Sequence, residues 1–143
     1  MMSNLVDFLI VEDDLVSSAA LQARLKGLGH TSVAANSTDG AIELLNDGLQ
    51  VLGAIVDIML PVDQNGKTEL NAGIDLAKLI KTKYPAIQII LLTGRVDDEL
   101  DREIQDAQNN NTVNLAAFFR KPPRAKELRM TLSEIKSGTN KNG

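Results

Sequence analysis

The sequence predicts an α/β fold, a doubly wound parallel sheet of (βα)5 type with helices on both faces. Three observations predict it. Five short apolar runs, rich in Val, Ile, Leu and Phe and too short for helices, punctuate the chain. Amphipathic stretches alternate with them, the pattern of a parallel sheet covered on both sides. At 143 residues the chain fits one domain, in which roughly 68–70% of the unfolded surface can be buried. No internal repeat or second domain is visible.

The first run is Phe8–Val11. Leu21, Leu25 and Leu28 then repeat at i, i+4 and i+7, and Gly29 supplies a helix stop. Thr31–Ala35 is the second strand. Ser37 or Thr38 caps a helix carrying Ile42, Leu45 and Leu49, with Gly48 near its end. Val51–Val56 is the third strand. The polar stretch Val62–Ala72, VDQNGKTELNA, interrupts the rhythm; with its Asn-Gly turn signal it is expected to be a mobile loop. The third helix runs from about Gly73 to Tyr84, buries Ile74, Ala77 and Ile80, and ends before Pro85. After the fourth strand, Ile87–Leu92, a helix carries Val96, Leu100, Ile104 and Ala107. An Asn-rich connector, Asn109–Asn114, leads to the fifth strand, Leu115–Phe119. Beyond Pro122–Pro123 a last helix carries Leu128, Leu132 and Ile135. Residues 5–136 are expected to form the domain and 137–143 a disordered polar tail.

Composition removes several function classes. There is no cysteine, so neither a disulfide framework nor a thiolate metal site is possible. The single histidine, His30, excludes a multi-His metal centre; it falls in a helix-to-strand turn and is expected at the surface without a role. A net charge of −4 and a pI near 4.9 argue against a dedicated nucleic-acid surface. No apolar run approaches the roughly 20 residues that span a bilayer. The start, MMSNLVDFLIVEDD, has no basic region before its apolar run, so no signal peptide is expected and a cytoplasmic location follows by default.

In open parallel sheets, ligands bind beyond the carboxyl ends of the strands. Just past the first strand come Glu12, Asp13 and Asp14; past the third, Asp57; past the fourth, Thr93 and Gly94; past the fifth, Lys121 and Pro122. The second strand is followed only by Asn36 and Ser37. Each group alone has an ordinary explanation: helix-capping acids, a strand-end turn, a β-branched residue, a surface lysine. Together they suit phosphoryl chemistry on a carboxylate. Clustered acids need a cation, and oxygen-only ligands favour a hard ion such as Mg²⁺. Such chemistry is mostly positioning and electrostatics, with little need for a histidine base.

FLIVEDD, AIVDIMLP, LLTG and FFRKP, in this order, resemble the receiver domain of bacterial response regulators, over about residues 5–136. The resemblance implies a flavodoxin-like sheet of strand order 2-1-3-4-5. It implies Asp57 as phosphoacceptor, and a Mg²⁺ site from Glu12, Asp13, Asp57 and the backbone carbonyl of Met59. Thr93 is then the switch hydroxyl, Lys121 the phosphate-contacting lysine on a cis Lys121–Pro122 bond, Phe118 the rotating aromatic and Gly94 the small residue beside the site. The implied partners are a sensor histidine kinase or a histidine phosphotransfer protein, plus a downstream protein target. The module would assist its own phosphorylation and dephosphorylation without being an enzyme in its own right. Two features depart from the pattern. The glycine usual about four residues past the proline is matched only by Gly73, twelve residues after Pro61, which implies an insertion. The Gly-Ala-Asp turn before the fifth strand is replaced by the Asn-rich connector.

Other readings fit less well. A Mg²⁺-dependent phosphatase with an aspartyl nucleophile, of haloacid-dehalogenase type, places DxD after its first strand, where this chain reads EDD followed by Leu. It usually also carries a cap domain, for which there is no room. A dinucleotide or flavin carrier would need a Gly-rich phosphate loop. A receiver used only as a phosphorylation-independent binding module would be expected to have lost site residues, and none is lost. The short stretch after the double proline leaves no room for a DNA-binding output domain, so output is expected through protein contact, with no direct nucleic-acid or membrane partner.

Overall fold

The computed structural model describes residues 5–138, apart from Gln64 and Val96. Val96, expected on the fourth helix, and nearly all of the expected tail therefore lie outside the described residues. In chain order the elements are β1 (Leu5–Val11), α1 (Leu15–Gly27), β2 (Ser32–Ala35), α2 (Thr38–Asn46), β3 (Gln50–Asp57), β4 (Leu60–Pro61), β5 (Thr68–Glu69), α3 (Ala72–Lys83), β6 (Gln88–Thr93), α4 (Asp98–Asn109), β7 (Leu115–Arg120) and α5 (Ala125–Ser137). The main sheet runs β2-β1-β3-β6-β7 with every neighbouring pair parallel. Counted over these five strands, this is the expected 2-1-3-4-5 order. Among the described residues no helix is long and apolar enough to cross a membrane.

Alternation along the strands builds two cores. Leu9, Val11, Ala54, Val56, Ile89 and Leu91 face one side, where Ala41, Leu45, Ile74, Ala77, Ile80, Leu100 and Ile104 bring α2, α3 and α4 onto the sheet. Phe8, Ile10, Ile55, Ile90 and Leu92 face the other, under Leu25 of α1 and Leu128, Leu132 and Ile135 of α5. Because both faces are buried, the central strands read as continuous apolar runs rather than alternating ones.

Local signals act where the sequence puts them. Ser37 Oγ accepts from Gly40 N at 3.0 Å and caps α2. The alternative cap, Thr38, instead donates its hydroxyl to Val62 O at 3.1 Å. Asp97 caps α4, its Oδ1 accepting from Glu99 N and Leu100 N. Gly29, at φ +89°, ends α1. In the Asn-rich connector, Asn111 takes a left-handed φ of 57°, a conformation asparagine tolerates, and Asn114 Nδ2 braces Pro85 O and Ile87 O.

Two expectations need correction. The stretch after Pro61, expected as a polar loop, contains a short hairpin: β4 and β5 pair antiparallel, Leu60 opposite Glu69 and Pro61 opposite Thr68. Asp63 Oδ1, accepting from Asn65 N at 2.9 Å, shapes the turn between them. Leu28, the last of the Leu21–Leu25–Leu28 repeat, closes α1 and is 37% exposed. His30 is not at the surface. It is buried, its ring edge-on to Phe8 with centroids 5.3 Å apart, and its Nδ1 has no hydrogen-bond partner among the described residues.

The hairpin returns the chain to the position of Gly73. Gly73 N donates to Ile58 O at 2.8 Å, and a Cβ on Gly73 would lie 2.1 Å from Asp57 O. Only glycine lets the start of α3 lie against the backbone that carries Asp57. Gly73→Ala should therefore destabilise the fold by about 1–3 kcal/mol, the usual cost of overpacking, measured by urea unfolding. An unchanged midpoint would contradict the close approach.

Burial also lowers the pKa of His30 from 6.5, helped by the positive charge of Lys136 and opposed by Asp7. Below that value the unfolded chain takes up a proton that the folded chain resists, so stability falls as pH drops. Between pH 7.5 and 5.5 the wild type should lose more stability than His30→Leu in parallel thermal melts; equal losses would contradict the burial of a neutral ring.

Candidate functional site

The register of the sheet assembles the site. Val11 lies opposite Val56, so Glu12 and Asp57, the next residues, leave adjacent strands side by side. Asp57 is opposite Leu92, which places Thr93 one residue further on the next strand. Thr93 is opposite Arg120, and Lys121 follows. Parallel pairing thus carries four chemical groups, distant in sequence, to one edge.

Lys121 closes the arrangement. Its Nζ donates to Glu12 Oε1 at 2.7 Å and to Asp57 Oδ2 at 2.6 Å. Both acids are buried, at 7% and 9% exposure, whereas Asp13 is exposed. Asp57 Oδ1 accepts from Met59 N at 3.1 Å, so each carboxylate oxygen of Asp57 has a donor. Oxygen atoms of Glu12, Asp13 and Asp57 all lie within 4.8 Å of one another, a group able to hold a metal ion. Thr93 is fully buried; its Oγ1 accepts from Arg95 N at 2.9 Å. Lys121 N donates to Thr93 O at 2.7 Å, and the Lys121–Pro122 bond is cis, as expected.

Electrostatics follow from this burial. Burial pushes the Glu12 carboxyl up to about 7, with Asp57 adding to the rise and the Lys121 hydrogen bond opposing it. For Lys121, burial alone would lower the pKa, but hydrogen bonds and charges from Asp57 and Glu12 overcome it and the net shift is upward. Two acids sharing one ammonium leave surplus negative charge. That surplus, with Asp13 adjoining, is what a hard divalent cation would neutralise.

The remaining expected residues lie around this centre. Phe118 is half-buried against the α2–α3–α4 core, and the Arg120 guanidinium sits over its ring at 6.0 Å. Gly94 is exposed, and a Cβ there would meet nothing within 4 Å, so packing does not require its smallness. Asp14 stands apart as the residue before α1, accepting from Ser17 Oγ at 2.6 Å. Sequence reasoning missed two participants. Arg120 Nη1 donates to the Arg95 carbonyl, and its Nη2 donates to both carboxylate oxygens of Asp101 at 3.1 and 3.2 Å. Arg95 spans the starts of two helices. Arg95 directly after LLTG and Arg120 within FFRKP were the available signal, but nothing in the sequence says what an arginine will reach.

No family model matches the chain. The signal receiver domain of an HD domain-containing protein from Pseudomonas fluorescens superposes with a TM-score of 0.74 at 27% identity, covering 94% of this chain and 96% of that one. A response regulator receiver domain protein from Clostridium thermocellum gives a TM-score of 0.73 at 19% identity, with coverage of 93% and 95%. Among curated proteins, a cyclic di-GMP phosphodiesterase from Thermotoga maritima is 29% identical over 125 residues. That match takes in 87% of this chain but only 29% of the relative's own length.

Replacing Lys121 by Met should leave two buried carboxylates facing each other without their cation. The expected loss is about 1–2 kcal/mol in metal-free buffer near neutral pH, limited because Glu12 can take up a proton. Millimolar Mg²⁺ should recover part of it. Thermal melts of the two proteins with and without the ion check this; equal stability without metal would contradict the bridging role.

Proposed function

We propose, for a chain that is a response-regulator receiver domain over nearly its whole length, that Asp57 accepts a phosphoryl group and that the phosphorylated state alters a protein-binding surface. The observation that carries this reading is the Lys121 ammonium shared by Glu12 and Asp57, with Asp13 and Thr93 at the same strand edge.

The donor class is a phosphohistidine of a histidine kinase or phosphotransfer protein, or a small phosphoryl donor. The P–N bond of the donor breaks as a bond forms from phosphorus to an Asp57 carboxylate oxygen. The donor imidazole leaves with a proton from solvent, so no base on this chain is needed. Glu12, Asp13 and Asp57, with the Met59 carbonyl, would hold Mg²⁺. The bound ion supplies charge neutralisation for the acids and the phosphoryl oxygens. Lys121 exchanges its carboxylate partners for a phosphoryl oxygen, and the Met59 N–H steadies the acceptor carboxylate. The same groups would assist hydrolysis of the acyl phosphate, a reaction of this module upon itself.

Thr93 and Phe118 form the responsive element. A phosphoryl oxygen draws the Thr93 hydroxyl inward, and Phe118 turns into the space released. Phe118 has no hydroxyl to anchor an outward state; the Arg120 guanidinium over its ring is what the turn must overcome. For the donor's approach, Leu15 and Val16 at the start of α1 are 74% and 78% exposed, next to Asp13 and Asp14. Beside them a groove of about 430 Å³ opens between α1 and the Lys121–Pro123 turn. Exposed apolar residues at the mouth of an acidic site suit a protein that must bring its phosphoryl group to Asp57.

Phosphoramidate with Mg²⁺ should add the mass of one phosphoryl group, mapped to Asp57 and absent in Asp57→Asn. Glu12→Gln and Asp13→Asn should each weaken Mg²⁺ binding, since each removes a charge facing the cation. A phosphoryl adduct that persists in Asp57→Asn would overturn the assignment.

A further inference from the structure

The insertion between Pro61 and Gly73 is tied to the site from both ends. The strand that leads into it, β4, starts three residues after Asp57, and the residue that follows it, Gly73, lies against the Asp57 carbonyl. Val62 O, at the outgoing side, accepts from Asp39 N at 2.8 Å and from Thr38 Oγ1. The returning side is gripped by the Arg95 side chain. Arg95 Nη1 donates to Leu70 O at 3.0 Å and to Asn71 Oδ1 at 2.9 Å, while Nη2 pairs with Asp97 Oδ2 at 2.6 Å. Asn71 precedes α3 and Asp97 caps α4, so a single guanidinium fastens the hairpin's return to two helix starts. Asn71 Nδ2 adds a bond to Glu103 Oε2 on α4 at 3.0 Å.

The backbone of the same residue reads the site. Arg95 N–H donates to the hydroxyl of Thr93, and its carbonyl accepts from Arg120. If the Thr93 hydroxyl turns toward a phosphoryl group on Asp57, the Arg95 amide loses its acceptor and the 93–95 turn must resettle. A planar fork held by three acceptors transmits such a shift where a point charge on a flexible stem would absorb it.

We propose that Arg95 is a positioning residue that couples phosphorylation at Asp57 to the β4–β5 hairpin, making the insertion a second responsive element beside Phe118. This rests on Asp57 as phosphoacceptor. Coupling of this kind is reciprocal, so loosening the clamp should also alter how readily the site takes its activated form.

The test uses amide NMR of the full chain titrated with beryllofluoride and Mg²⁺, a phosphoryl mimic for carboxylates. In the wild type, resonances of Thr68, Glu69 and Leu70 should shift together with those of Thr93 and Lys121. In Arg95→Ala, and in Asn71→Ala as a second variant that leaves the Arg95 amide untouched, Thr93 and Lys121 should still shift. The hairpin shifts should be lost in the first variant and reduced in the second; Arg95→Lys should behave like Arg95→Ala. Hairpin resonances that stay still in the wild type while Thr93 and Lys121 move would overturn the coupling alone. Hairpin shifts that survive undiminished in both Arg95→Ala and Asn71→Ala would overturn the role of Arg95. If no resonance moves at all, Asp57 does not take the phosphoryl mimic, and the coupling falls with the phosphoacceptor reading.

Discussion

The structure turns on one ammonium group. Lys121 Nζ lies within hydrogen-bond distance of two buried carboxylates that would otherwise repel each other. Without a cation, burying Glu12 and Asp57 together would be costly, because each would be desolvated and unpaired. With one cation for two acids, and Asp13 at the rim, the site is still short of positive charge. A place built to be short of positive charge is a place built to receive it. The chemistry proposed here follows from that imbalance: a hard ion for the acids, and a phosphoryl group that lets Lys121 change partners.

The sheet makes the imbalance possible. Parallel strands all point their carboxyl ends the same way, so one edge collects groups from positions 12, 57, 93 and 121. Cores on both faces fix the register of β1, β3 and β6, since a slip by one residue would exchange the two apolar faces. The floor of the site is therefore rigid. Its rim is polar and built from turns: Arg95 and the hairpin return are held by hydrogen bonds. Rigid floor and adjustable rim are what a switch needs, because small shifts at the floor move elements whose contacts can be remade.

Much of this was legible in the sequence, for reasons that can be named. Buried parallel strands announce themselves as apolar runs, and Glu12, Asp13, Asp57, Thr93 and Lys121 each fall within two residues of the end of such a run. Gly73 was legible as a displaced glycine, but the backbone contact that demands it depends on where the hairpin returns, which no local pattern encodes. Two-residue strands such as β4 and β5 are too short to leave a periodicity, and β5 is exposed at both residues. The reach of Arg95 and Arg120 depends on tertiary geometry, since a long side chain near a site looks the same in sequence whether it bridges three acceptors or waves in water. His30 was misread because a helix-to-strand turn is usually exposed; here α5 crosses beneath it, with Lys136 donating to Gly29 O at 2.9 Å.

The central claim is that Lys121 holds Glu12 and Asp57 only until a phosphoryl group takes its place among them. A crystal structure of the chain with Mg²⁺ and beryllofluoride tests this most directly. The account predicts beryllium bonded to an Asp57 carboxylate oxygen, Lys121 Nζ within hydrogen-bond distance of a fluorine and released from Glu12, and the Thr93 hydroxyl turned toward the adduct. An adduct on Asp57 with Lys121 still bridging Glu12 and Asp57, or an adduct on another residue, would contradict it.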